Sequence, residues 1–324
     1  MQEMKFYLAP MEGVTGYIFR NAHKDLFHNI DKYFTPFIVA NQTGKMKNKE
    51  KKDILPENNQ TLYIVPQILT NNADDFIRTA KDLKSYGYKE INLNLGCPAG
   101  TVVAKCKGSG FLAERERLNQ FLEDIYSNTD DDIDISIKTR IGKDTSDEFY
   151  EIMEIYNQYP IKELIIHPRI QKDFYKNTPN LKVFQDAFVM SKNPVCYNGD
   201  IFNVQDFQKF HAQFPKVTSI MLGRGLIANP GLIRSIKENW SIDKPKLKEF
   251  HDRILRDYEE ILSPDINVLY KMKEVWFYMI PMFDECESYA KKIRKCSRLS
   301  EYKMIIANLF ANCELRDNAG FLPR

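Results

Sequence analysis

A few residues in this chain have types and spacings that could do chemistry. Cys97 stands between Gly96 and Pro98, at the end of the run "EINLNLG" (90–96). Ile91, Leu93 and Leu95 alternate there with Asn92 and Asn94, the period-two pattern of a strand, and Gly96-Cys97-Pro98 reads as the tight turn that ends it. A cysteine that merely fills space belongs inside a strand. A thiol where strand meets loop stands at the usual address of chemistry in α/β proteins. Lys138 interrupts the otherwise apolar "ISIKTR" (135–140). A lysine facing a packed interior loses hydration unless an anion faces it, so it suits a Schiff base or an electron-rich cofactor. His167 and Arg169 share one face of a strand end, a spacing suited to an anion. Gln67 and Asn94 each offer a donor and an acceptor, as the edge of a heteroaromatic ring requires.

The elements that must position these residues follow from the apolar pattern. Eight β-rich runs recur: 5–10, 32–38, 62–69, 90–96, 134–140, 163–169, 194–200 and 219–225. Helical stretches separate several of them. In "DDFIRTAKDLKSYG" (74–87), Phe76, Ile77, Ala80 and Leu83 fall on one face. Strands alternating with helices predict βαβ units and a parallel sheet, and eight of them predict a (β/α)8 TIM barrel. An open doubly wound sheet is the competing architecture, but no GxGxxG follows the first strand. After residue 240 the strand signals stop. Stretches 246–262, 264–283, 286–297 and 299–313 read as helices, which predicts a barrel domain over 1–240 and a helical bundle over 241–324.

A barrel gathers the C-terminal ends of its strands into one site. Here those ends carry Pro10-Met11-Glu12-Gly13, Gln67, Asn94 with Cys97, Lys138 with Arg140, His167 with Arg169, Asn198-Gly199-Asp200 and Gly223-Arg224-Gly225. The set is rich in hydrogen-bonding groups and poor in carboxylates. It lacks a His/Asp/Glu metal triad and the paired carboxylates of a glycosidase. Its last two groups fall in the seventh and eighth loops, where barrels often bind phosphate. Glycines there admit backbone N–H groups and Arg224 adds charge.

Bulk properties set the frame. The chain has 324 residues, 43% of them hydrophobic, and a formal net charge of +2, so charge alone announces no nucleic-acid partner. Six scattered cysteines without a CxxC pair argue against a disulfide framework or a zinc site, and fit a reducing cytoplasm. The N-terminus lacks the apolar core of a signal peptide, and the longest apolar run, 276–283, is far short of a membrane span. A soluble cytoplasmic protein is expected. Two basic clusters stand out, "GKMKNKEKKD" (44–53) after the second strand and "KKIRKCSR" (291–298) in the helical region. Solvated surface explains either one alone.

Taken together, the motifs resemble the tRNA-dihydrouridine synthase family of flavoenzymes. The matching pieces are "LAPMEGVT" (8–15), "PQI" (66–68), "NLNLGCPAGTVVAKCKGSGFL" (92–112), "IKTRIG" (137–142), "HPRIQKDFY" (167–175), "NGDI" (198–201) and "GRGLIANP" (223–230), in family order. The resemblance implies bound FMN, NADPH as reductant and tRNA as substrate. It implies hydride transfer to carbon 6 of a uracil ring, with Cys97 as the acid that protonates carbon 5. A free thiol, with a pKa of about 8.5, is protonated at neutral pH and can serve. By the same resemblance Pro10, Met11, Gln67 and Lys138 would face the flavin ring. His167, Asn198, Gly199, Asp200, Gly223 and Arg224 would hold its ribityl chain and phosphate. Asn94, Arg140, Arg169 and Tyr175 would meet the RNA, and the helical region would bind it. The target uridine must leave its stack to be reached. The downstream "KGSG" (107–110) would hinge the cysteine loop. No metal is expected, and the family's usual state implies a monomer. Three other readings stay open on the residues alone: a small-molecule FMN oxidoreductase, a non-catalytic RNA-binding protein and a Schiff-base aldolase acting through Lys138.

Overall fold

The computed structural model describes residues 3–322. Its strand segments are β1 (Lys5–Leu8), β2 (Lys32–Phe34), β3 (Ile38–Val39), β4 (Ile64–Val65), β5 (Gln67–Leu69), β6 (Glu90–Leu95), β7 (Asp134–Arg140), β8 (Leu164–His167), β9 (Val195–Tyr197) and β10 (Ser219–Leu222). They form one sheet in the order β3-β5-β6-β7-β8-β9-β10-β1-β2-β4, and the registered pairs are parallel.

The two ends of that order are joined through the chain. β2 and β3 are one strand broken at Thr35-Pro36-Phe37, and β4 and β5 are one strand broken at Pro66. Proline has no N–H to give a ladder, so each break follows from the sequence. Side chain and carbonyl bridge the gap: Gln67 N donates to Thr35 Oγ1 at 3.1 Å, and Asn92 N donates to Pro66 O at 2.8 Å. Ten segments less two interruptions leave eight strands, one on each of the eight runs read from the sequence, with Val39 alone lying beyond its run. This is a closed (β/α)8 barrel with helices between its strands.

The barrel is filled by Tyr7, Ala9, Phe34, Val65, Ile165, Cys196 and Met221, all buried. Below this layer, at the N-terminal ends of the strands, Lys32 Nζ bridges Glu90 at 2.8 Å and Glu163 at 3.3 Å. Tyr7 and Ser219 donate their hydroxyls to Glu163. The buried carboxylates are thus paired, as burial demands.

The chain divides into two compact units. The first holds residues through Pro10, Lys32–Gly199 and Lys216–Met221; the second holds Met11–Asp31, Asp200–Pro215 and residues from Leu222 onward. The second unit contains the helices Lys244–Ile261, Asp265–Met279, Glu287–Lys295 and Leu299–Asn312. Its interior carries a relay whose sense can be assigned. Trp276 Nε1 donates to Tyr302 at 2.6 Å, so the tyrosine hydroxyl turns its own proton to His251 Nε2 at 2.7 Å. His251 Nδ1–H then faces Asp252 at 2.8 Å.

Within the basic run 44–53, residues Asn48–Ile54 form a short helix. The Glu50 carboxylate accepts the backbone N–H of Lys47 at 2.9 Å, which closes the first turn. It also accepts Val39 N at 3.3 Å, which fixes the helix to β3. The lysines of the run remain exposed.

Candidate active site

Asn94 and Gln67 belong to a chain of amides whose sense the backbone fixes. The N–H groups of Gly96 and Cys97 donate to Asn94 Oδ1 at 3.1 and 2.9 Å. A backbone N–H can only donate, so Nδ2 must lie on the other side. It donates to Gln67 Oε1 at 2.6 Å; Gln67 Nε2 donates to Asn92 Oδ1 at 2.7 Å; Asn92 Nδ2 donates to Ser136 Oγ at 3.0 Å. The ladder register causes this, because Gln67 lies opposite Asn92 and Asn92 opposite Ser136. All four side chains are buried. Buried amides are tolerable because each satisfies the next. The chain ends on the backbone of Cys97.

The other side of Cys97 is held as firmly. Its carbonyl accepts Ser109 N at 3.1 Å and Ser109 Oγ at 2.9 Å. Gly108 has φ +55°, and a Cβ there would lie 2.7 Å from that carbonyl. Glycine permits the close approach. Residues Gly108–Ala113 form a short helical turn, and Gly108, Ser109 and Gly110 are buried. The segment read as a hinge is thus packed as a brace. Cys97 and Cys106 are partly exposed and in no disulfide.

Lys138 lies opposite Asn94 on β7. Among the described residues no carboxylate pairs with it. Burial lowers its pKa to about 8, and the charge of Arg140 pushes the same way, while the Cys196 and Cys97 thiols push back. An ammonium desolvated this far without a carboxylate is matched to an electron-rich group brought by a ligand. The residues therefore fit the ring edge of a reduced flavin.

Arg140 and Arg169 are 1% exposed and bind mainly their own loops. Arg140 donates to three backbone carbonyls: Gly96 at 3.1 Å, Ile170 at 2.8 Å and Phe174 at 2.6 Å. Arg169 Nε donates to Asn177 O at 2.6 Å, and its Nη1 lies 3.0 Å from His167 Nε2. The guanidinium can only donate, so His167 carries its proton on Nδ1. The geometry comes from Pro168: Arg169 N donates to His167 O at 2.7 Å, a γ-turn that proline's fixed φ suits. The Tyr175 ring lies tilted beside His167, centroids 6.0 Å apart, with the Arg140 guanidinium 5.5 Å from its ring centre. Asn198 is buried and binds strand backbones: its N–H donates to Ile166 O at 2.9 Å and its Nδ2 to Met221 O at 2.8 Å. A Cβ on Gly199 would collide with the Tyr197 hydroxyl, so that ring demands the glycine. Pro10, just beyond β1, is partly exposed.

The second unit carries the remaining expected residues. Met11 N donates to Thr15 Oγ1 at 2.8 Å, and the Met11 carbonyl accepts Val14 N and Thr15 N, closing a turn. Gly223 caps the helix Arg224–Ala228. Arg224 donates to Asp200 at 2.6 Å, and its guanidinium lies 5.1 and 5.3 Å from the ring centres of Phe202 and Phe321. That is a cation fixed by one carboxylate and two aromatic faces. Among the described residues no cluster of three or more His, Cys, Asp or Glu side chains could hold a metal ion, and no helix is long and apolar enough to cross a membrane.

Sequence reasoning did not single out Asn92, Ser109, Ser136 or Gln171 as site residues. The alternation in "INLN" did put Asn92 and Asn94 on one face. The others act through ladder register or loop packing, which have no local signature.

Residues 7–314 match the family described as dihydrouridine synthase (Dus). Curated relatives named tRNA-dihydrouridine(16) synthase include those of Haemophilus influenzae, 27% identical over 93% of this chain and 98% of the relative, and of Neisseria meningitidis, 24% identical over 94% of both. Among solved structures, a morphinone reductase mutant in complex with tetrahydroNAD superposes with a TM-score of 0.53 at 9% identity, covering 76% of this chain and 90% of that one. Histamine dehydrogenase from Rhizobium sp. 4-9 gives 0.55 at 13% identity, over 84% of this chain and 49% of that one. At such identities these two speak for the fold alone. The family match, by contrast, runs through both compact units, and this chain belongs to the dihydrouridine synthase family.

Proposed function

We propose that the chain is an FMN-dependent tRNA-dihydrouridine synthase that uses NADPH as reductant and Cys97 as proton donor. The observation that carries this reading is Lys138: a half-buried ammonium that no carboxylate among the described residues pairs with, opposite the amide that holds the Cys97 backbone. In the first unit Pro10, Gln67, Lys138, His167, Asn198 and Gly199 would hold FMN; the assignment of Met11, Asp200, Gly223 and Arg224 to FMN rests on the family resemblance alone. FMN, when bound, supplies hydride to carbon 6 of the uracil ring. Lys138 offsets negative charge at the ring edge. Gln67, fully buried, has its amide oxygen and one N–H engaged by Asn94 and Asn92, and so orients the Asn94 amide. Cys97 gives its thiol proton to carbon 5 as the carbon 5–6 double bond is lost, and the thiolate recovers a proton from water. Asn94, Arg140, Arg169 and Tyr175 are assigned to the RNA side, the two arginines by shaping the loops that meet it. Residues 1–240 would form the catalytic domain and 241–324 the RNA-binding domain. The exposed lysines of 44–53 and cations of 291–298 would serve phosphate contacts.

The test is Cys97→Ala under anaerobic conditions. The variant is expected to keep FMN and its bleaching by NADPH, and to lose most dihydrouridine formation on an unmodified tRNA transcript. An unchanged yield would remove the acid role.

A further inference from the structure

Phe174 occupies a backbone conformation that a phenylalanine has no local reason to adopt. Its φ is 49° and its ψ −99°. Lys176 N donates to Asp173 O at 2.9 Å, closing a turn in which Phe174 is the first central residue. These angles belong to a type II′ turn, where glycine is the usual occupant. The ring gains nothing visible in return: it is 44% exposed and has no aromatic or cation partner among the described residues. An apolar ring held out to solvent on a strained backbone is the pattern of a residue kept for contact.

The surroundings hold this conformation in place. Arg140 grips the turn through the carbonyls of Ile170 and Phe174, and with Nε grips Gly96, the residue before Cys97. Gln171 Nε2 donates to Pro98 O at 3.2 Å, on the other side of Cys97. Asp173 accepts Ile170 N at 3.0 Å, and Arg169 holds Asn177 O. One guanidinium and one amide thus tie the turn to the cysteine loop. The Tyr175 ring, also exposed at 42%, already has His167 and Arg140 as neighbours; the Phe174 ring does not.

We propose that Phe174 is a stacking residue for a nucleobase of the RNA next to the extruded uridine. Extruding a base leaves its neighbours with an uncovered face. A rigidly mounted aromatic ring beside the reacting loop can cover one, with little preference among bases. The inference rests on the proposed function, and it deepens that reading by assigning a substrate contact outside the residues expected from the sequence.

The test compares Phe174→Gly, Phe174→Leu and Phe174→Trp with the parent on an unmodified tRNA transcript. Phe174→Gly relieves the backbone while deleting the ring. It is expected to unfold at a temperature no lower than the parent, to bind FMN and be reduced by NADPH normally, and to raise the KM for tRNA about tenfold. Phe174→Leu keeps bulk without a stacking face and should resemble Phe174→Gly in KM. Phe174→Trp should recover the parent KM. A lowered melting temperature in Phe174→Gly with unchanged KM would make the ring structural and overturn the proposal. So would a parent-like KM in Phe174→Leu. If the parent itself fails to reduce tRNA, the proposed function falls instead, so the two failures are separable.

Discussion

At the residue scale, the site is built from groups that would be costly to bury alone. Lys138 is the clearest case. Burial holds its pKa at about 8 against an ordinary 10.5, so below pH 8 it is charged in both states and the fold bears the desolvation. Between those values the unfolded chain keeps a proton that the folded chain has lost, and stability contributed by this group rises with pH. Lys138→Met is therefore expected to stabilise the flavin-free protein at pH 7 by up to about 3 kcal/mol, with the gain shrinking toward pH 10. Urea unfolding at several pH values measures it. The same variant should bind FMN more weakly, which fluorescence titration reads separately. Gly108 gives a second case. Gly108→Ala would force the Cys97 carbonyl to move and place alanine at φ +55°. Uridine reduction is expected to fall at least tenfold while flavin reduction by NADPH is retained, as single-turnover kinetics on each half-reaction would show.

At the element scale, much was legible, and each miss has its own physical cause. The eight strand runs and the four C-terminal helices follow from apolar periodicity, which burial enforces. Pro36 and Pro66 sit inside apolar runs, so the runs mark the strands even where proline interrupts the ladder. The helix Asn48–Ile54 has no broad apolar face to reveal it; its start depends on Glu50 reaching Lys47 and Val39. The brace on Cys97 was read as a hinge because two glycines suggest freedom, whereas Gly108 is there for close packing. Arg224 is flanked by Phe202 and Phe321, which are distant in sequence and meet only in the fold. The Trp276–Tyr302–His251 relay has the same character. Tyr302→Phe would leave the indole N–H and the imidazole Nε2 without partners. It is expected to cost about 2–4 kcal/mol and leave FMN stoichiometry unchanged; calorimetry and the flavin spectrum test the two parts.

At the scale of the whole molecule, the family match over residues 7–314 and the closed barrel agree with the order of motifs along the chain. Acid sensitivity should be a property of the entire chain. His23 is buried, its Nε2–H donates to Pro230 O at 2.9 Å, and burial lowers its pKa from 6.5 to about 4. Burial also lowers that of His251. Between pH 6.5 and 4 the unfolded chain binds a proton at His23 that the folded chain refuses. Stability should fall by about 3 kcal/mol across that window from this residue, and His23→Gln should flatten the profile.

The central claim is that Lys138, Gln67 and Cys97 form one flavin-and-uridine site, and one spectrum tests it most directly. The purified protein, loaded with FMN, is bleached with one equivalent of NADPH without oxygen and then mixed with an unmodified tRNA transcript. The flavin absorbance should return, with about one dihydrouridine formed per flavin. A flavin that stays bleached, with no dihydrouridine in the RNA, would contradict the account.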